Sequence, residues 1–246
     1  MFFSWMTPVL SEPSSSDTPP DCDEPQGRGV STRGNLPCEE EPGWEPEPIE
    51  DPPTAPCDPF MTALGGHTNF ADSFKSLANI NNQTLQFEKG LFVTDIASSQ
   101  YISIAGQPGS PSISLVGVTI QLSGFLHTHS NALNQAPMFS PDDVLMMAEA
   151  YLNGNAKDST NFFIGLAHGY GPPYLMKVTN TSKFRKFAEK IMKMEQNTDV
   201  KKKFSKKYEE DFNSNSINHN EKGFLDMLSR LGAGNGLSLY RAVDND

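Results

Sequence analysis

The residues of this 246-residue chain best suited to chemistry lie in one short stretch, Gly124 to Met147, reading "GFLHTHSNALNQAPMFSPDDVLMM". His127 and His129 are one residue apart at the end of an apolar run. On a strand, residues i and i+2 leave the same face, so the two imidazoles can approach a single ion together. A catalytic zinc takes three protein ligands and keeps one position for water, so a third donor must come from elsewhere. Ser140-Pro141-Asp142-Asp143 offers two candidates, Asp142 and Asp143. With Ser140 as N-cap and Pro141 at the first helical position, Asp143 falls in the first helical turn. A ten-residue loop, Ser130 to Phe139, can return that turn to the strand end. Taken singly each piece is ordinary: a capping box, a packed histidine, a polar loop. Together they bring three ligand types to one place.

These residues need elements to hold them. Asn69–Ile80 spaces Phe70, Phe74 and Leu77 helically. "TLQFEKGLFVTD" reads as a strand in which Gly90 could mark a bulge. "QYISIAG" alternates as a strand does, "GQPGSPS" is a turn-rich loop, and "ISLVGVTIQLSGFLHTH" holds one or two strands ending on the histidines. A helix over Pro141–Leu152 follows. "NFFIGLAH" and "PYLMKVT" read as a hairpin closed around "GYGPP". "TSKFRKFAEKIMKMEQ" is an amphipathic helix with Phe184, Phe187, Ala188 and Ile191 on one face. "DVKKKFSKKYEEDF" and "NEKGFLDMLSRLG" are also helical, and "GLSLYRAV" is a last strand. The order predicts a mixed α/β (α+β) domain rather than a regular βαβ winding.

Composition divides the chain near residue 60. Residues 1–60 hold 13 of the 19 prolines, all three cysteines and 13 acidic side chains against two basic ones, Arg28 and Arg33, which accounts for the whole net charge of −11. The remainder carries 17 acidic and 17 basic side chains and is formally neutral. Neither part has the basic balance of a nucleic-acid binder. Residues 1–57 are too polar and proline-rich to offset their ordering entropy, and read as a disordered acidic tether before a domain spanning 58–246. The opening "MFFSWMTPVL" lacks a basic region and is too short to span a membrane. It reads equally as a true N-terminus and as a boundary behind which a larger protein continues. Cys22, Cys38 and Cys57 lack zinc-ligand spacing and are odd in number, leaving the compartment undecided. The lysines of Lys201–Lys207 read as the wet face of an amphipathic helix.

His-Thr-His, a loop, then Ser-x-x-Asp resembles the JAMM signature of JAB/MPN-type metalloproteases, most closely the divergent JAB-like domains at the ends of large bacterial, Bacteroidetes-like proteins. The family form has seven residues between the second histidine and the serine, and this chain has ten. The resemblance covers about residues 58–246 and is specific only in its centre. It implies a cytidine-deaminase-like JAB/MPN fold, a mostly antiparallel mixed sheet flanked by helices. It also implies a zinc peptidase or isopeptidase acting on a protein or peptide substrate. Zn2+ would be bound by His127, His129 and Asp143, with Asp142 the second choice. Glu88, in "FEKGLFV", would be the general base, one residue short of the family's Glu-x-x-Gly context, with Asp95 and then Asp72 as substitutes. Ser140 would hydrogen-bond the oxyanion. His168 could line the site, while His67 and His219 have no partner at metal spacing. Two other readings stand beside it: a JAB-like binding or scaffold module that no longer catalyses, and an effector domain of a larger secreted protein.

Overall fold

The computed structural model describes residues 3–8, 59–110, 112–115, 117–169, 171–195, 217–231 and 236–244. The described residues fold as one unit. The three cysteines, the remaining tether and Lys201–Lys207 lie outside the described residues.

The strands are β1 (Phe3–Pro8), β2 (Lys89–Asp95), β3 (Gln100–Ala105), β4 (Gly124–His129), β5 (Phe163–His168), β6 (Tyr174–Val178) and β7 (Leu237–Asp244). They form one sheet in the order β1-β7-β6-β5-β4-β2-β3. Every pairing is antiparallel except β4 with β5. A parallel pair cannot be joined by a tight turn and needs a crossover. That crossover is helix α4 (Pro141–Leu152), the element that carries the Ser-Pro-Asp-Asp motif. The fold is therefore α+β with a mixed sheet.

The other helices are α1 (Pro59–Gly66), α2 (Thr68–Leu77), α3 (Ile80–Gln83), α5 (Thr181–Glu195) and α6 (Ile217–Leu231). Apolar residues separate into two cores, one on each face of the sheet. One face packs Phe125, Ile164, Leu166 and Met176 against α4, α5 and α6 through Met147, Phe184 and Phe224, together with Phe139 of the loop before α4. The other packs Leu126, Phe163 and Leu175 against Leu64 of α1 and Phe70, Phe74 and Leu77 of α2. β4 and β5 are buried along their whole length, as central strands covered on both sides must be. Tyr174 Oη donates to Glu221 Oε1 at 2.8 Å and Arg241 Nη1 lies 3.1 Å from the same oxygen, tying α6 to β6 and β7.

Several sequence expectations hold: α4 has the predicted limits, β5 and β6 form the hairpin, and β7 is the closing strand. Others change. Phe3–Pro8, placed in the tether by composition, pairs with β7 as an edge strand. β2 starts at Lys89, because residues 84–88 turn: Gly109 N–H donates to the Gln86 carbonyl and Ser130 Oγ to that of Leu85. Gly90 is not at a bulge, since the irregularity falls between Val93 and Asp95. It is glycine because a Cβ would sit 2.5 Å from the Leu126 carbonyl oxygen and 2.9 Å from Ile113 Cδ1. The β-rich run over residues 113–121 forms no named strand. Gly117 turns it at φ +81°, and the Asn155 side-chain amide donates to the carbonyls of Val118 and Ile120.

Candidate metal centre

The parallel pair puts the carboxyl ends of β4 and β5 beside the N-terminus of α4, a common location for ligand sites in sheets with crossovers. His127 and His129 leave the same face of β4 and are buried at 0% and 2% exposure. Their rings lie 5.1 Å apart, and His127 packs between Phe125 and Phe139 at 6.3 and 6.1 Å. From α4, Asp143 reaches both: His127 Nε2 is 3.0 Å from Oδ1 and His129 Nε2 is 3.2 Å from Oδ2. The three donor atoms lie within 4.8 Å of one another. Asp142, the second choice for the carboxylate, is exposed and outside the donor group. One residue decides this: at the third helical position Asp143 turns inward, while Asp142 at the second turns out.

The capping box predicted at Ser140 is present and does more than cap. Asp143 N–H donates to Ser140 Oγ at 3.2 Å, and Ser140 N–H donates to Asp143 Oδ2 at 2.6 Å. Ser140 Oγ also donates to Asp143 Oδ2 at 2.9 Å. The hydroxyl is thus engaged with the carboxylate and fixes how Asp143 faces the histidines.

The donor set fits a divalent ion. Ligand bonds of ~2.0–2.1 Å in a tetrahedron put donors roughly 3.3 Å apart, close to the two contacts to Asp143. His129 Nδ1–H donates to the Ala136 carbonyl at 2.7 Å, which leaves Nε2 facing Asp143. An outer hydrogen bond of this kind is the usual way a ligating histidine is oriented. His127 has no such bond: both ring nitrogens are buried without a hydrogen-bond partner, its approach to Asp143 being close but not aligned for one. A buried nitrogen of this kind is costly unless something else occupies its lone pair, which an ion would do.

Electrostatics agree. Burial opposes charge on Asp143, but the two imidazoles outweigh it and hold the carboxyl well below its usual range. Burial likewise opposes charge on His129, yet Asp143, Glu88 and the Ala136 carbonyl raise it to about 9.

Glu88 immediately precedes β2 and is buried at 2%. β2 pairs Gly90 with His127, and the Lys89 N–H donates to Thr128 Oγ1 at 3.0 Å, so Glu88 is carried toward the histidines. Burial pushes its carboxyl up, and Asp143 adds to that, against the pull of His127, His129 and a hydrogen bond from Gln135. It is not one of the three clustered donors. The substitutes fare worse. Asp95 lies at the far end of β2, bound to Lys157 at 2.6 Å, and that hydrogen bond lowers it to about 2. Asp72 is exposed on α2.

His168 ends β5 in register with His129. Burial, then the charge of His129, lower it to about 4, so it is neutral at physiological pH. His67 precedes α2 and His219 is exposed on α6; neither belongs to the donor group. Gln135 and Ala136 escaped the sequence reading. Their only signal was the loop's three residues beyond the family's seven, and the loop folds back onto the site.

Comparison of the chain with known protein families, curated proteins and solved structures finds no match. Among the described residues no helix is long and apolar enough to cross a membrane.

Proposed function

We propose that the chain is a zinc-dependent hydrolase of peptide or isopeptide bonds, of the JAMM type its central motif resembles. The observation that carries the reading is a buried His127-His129-Asp143 group with a second carboxylate, Glu88, close enough to feel all three yet outside the ligand set. An ion held by His127, His129 and Asp143 would supply Lewis acidity and lower the pKa of a water beside it. Glu88, with its carboxyl pushed up by burial, accepts the proton from the attacking water and delivers it to the leaving amine. Ser140 orients Asp143, which departs from the oxyanion role that the resemblance implies, because its hydroxyl proton is given to Oδ2.

The rival reading is a JAB-like module that binds or scaffolds without catalysis. One observation favours it: His127, His129, Asp143 and Glu88 are all 5% exposed or less, which leaves little open surface for a substrate. Zinc content of purified protein by mass spectrometry, wild type beside His129→Ala, tests the ion. The expected result is about one zinc per chain, lost in the variant. No zinc in either, even after incubation with the metal, overturns the hydrolase reading. Zinc without cleavage of any peptide or isopeptide reporter leaves the binding module.

A further inference from the structure

The loop between β4 and α4 is tightly built for a connection of its length. Ser130 caps a 3-10 turn over Asn131–Leu133, and Asn134 closes it with left-handed backbone at φ +53°. The two residues that follow then reach three groups of the centre. The Ala136 carbonyl accepts from His129 Nδ1 at 2.7 Å, and the Gln135 backbone hydrogen-bonds the His168 ring. The Gln135 side chain bridges the loop to the Glu88 carboxylate in one span: Oε1 accepts from the Ser130 N–H at 2.7 Å, and Nε2 donates to Glu88 Oε1.

A free carboxylate beside a dication is drawn onto it. With His127, His129 and Asp143 already in place, Glu88 would become a fourth protein ligand. Four protein ligands make the closed set of a structural zinc site, whereas catalysis needs one position open. We propose that Gln135 is the positioning residue that prevents this, holding Glu88 beside the ion but outside its ligand set and so keeping the site open. The inference rests on the zinc reading above. It assigns the loop's extra length a purpose: to bring an amide to the base.

The test uses the full chain loaded with cobalt(II), whose visible spectrum reports ligand number and geometry. Azide, a small anion that takes an open position, is the probe. Wild type should show an azide-dependent spectral shift. Gln135→Met, of similar length but without the donor, should lose that shift while binding the metal at least as tightly. Gln135→Met combined with Glu88→Gln should regain it, because no carboxylate is left to close the site. If Gln135 only anchored the loop, its loss would weaken metal binding, of the order of 10–100-fold for an outer-sphere partner, and the second substitution would restore nothing. That outcome, or an unchanged azide response in Gln135→Met, overturns the proposal while the zinc reading stands. Failure of the wild type to bind metal overturns both. Gln135→Asn, one methylene too short to span Ser130 and Glu88, serves the same purpose if the methionine variant does not fold.

Discussion

Replacing Glu88 with glutamine is the most discriminating single change. The substitution keeps shape and volume, and Gln135 Nε2 can still donate to the remaining side-chain oxygen. None of the three clustered donors is touched, so zinc should stay at about one per chain. What disappears is the proton acceptor. Loss of a positioned general base costs about 10²–10⁴-fold in rate, or about 2.7–5.4 kcal/mol of transition-state stabilisation at 1.36 kcal/mol per tenfold. In the metal-free chain burial raises the Glu88 carboxyl above its ordinary value of 4.5; in the zinc-loaded enzyme protonation of this carboxyl removes the base, so the rate falls on the acid side. At saturating zinc that acid limb should be present in the kcat/KM profile of the wild type and absent from the residual activity of Glu88→Gln. The same shift affects folding with the opposite sign to function. A carboxyl whose folded pKa exceeds its unfolded one is penalised when charged, fully above the folded pKa and not at all below the unfolded one. The metal-free variant should therefore be more stable than wild type at pH 7 and no more stable at pH 4, by denaturant unfolding. Full hydrolysis in the zinc-loaded variant would refute the assignment of Glu88.

Other outcomes follow from the same geometry. Because His129 is raised to about 9, it is protonated below that pH in the metal-free chain, and zinc must displace the proton. Apparent zinc affinity should weaken by about tenfold per unit as pH falls from 8 to 6, read by chelator competition; a flat profile would remove His129 from the ligand set. Ser140→Ala should cost about 1 kcal/mol through the lost N-cap, seen as a lower melting temperature, with a much smaller rate loss than Glu88→Gln. A 10²-fold or greater loss with zinc retained would restore Ser140 to the oxyanion role. Gly90→Ala forces a Cβ to within 2.5 Å of the Leu126 carbonyl oxygen, and the backbone of a central strand has no room to yield. It should destabilise the fold by about 1–3 kcal/mol or more in chemical denaturation; an unchanged midpoint would refute the close-approach explanation.

The local signals were legible in the sequence because they act over a few residues. Ser-Pro-Asp-Asp contains its own start signal, and the helix it opens runs from Pro141 to Leu152 as read. His-x-His needs only the two-residue period of a strand to place both rings on one face. Period and caps also located β5, β6, β7 and the amphipathic face of α5. What lay beyond the sequence depended on distant partners. Ile113–Ile120 has the composition of a strand, yet Asn155, some 35 residues away, takes two of its carbonyls. Phe3–Pro8 is a strand only because β7 offers an edge. Whether Glu88 belongs to the site was undecidable from its spacing to Gly90. Its place beside the histidines comes from the register of β2 on β4, in which Gly90 meets His127. The links of Gln135 to Glu88 and of Ala136 to His129 come from a loop whose composition carried no sign of them, because a side-chain amide and a backbone carbonyl acquire such roles only from what the fold brings against them. Residue types and short-range order thus determined which groups could bind an ion; packing of the sheet against α4 decided which of them meet.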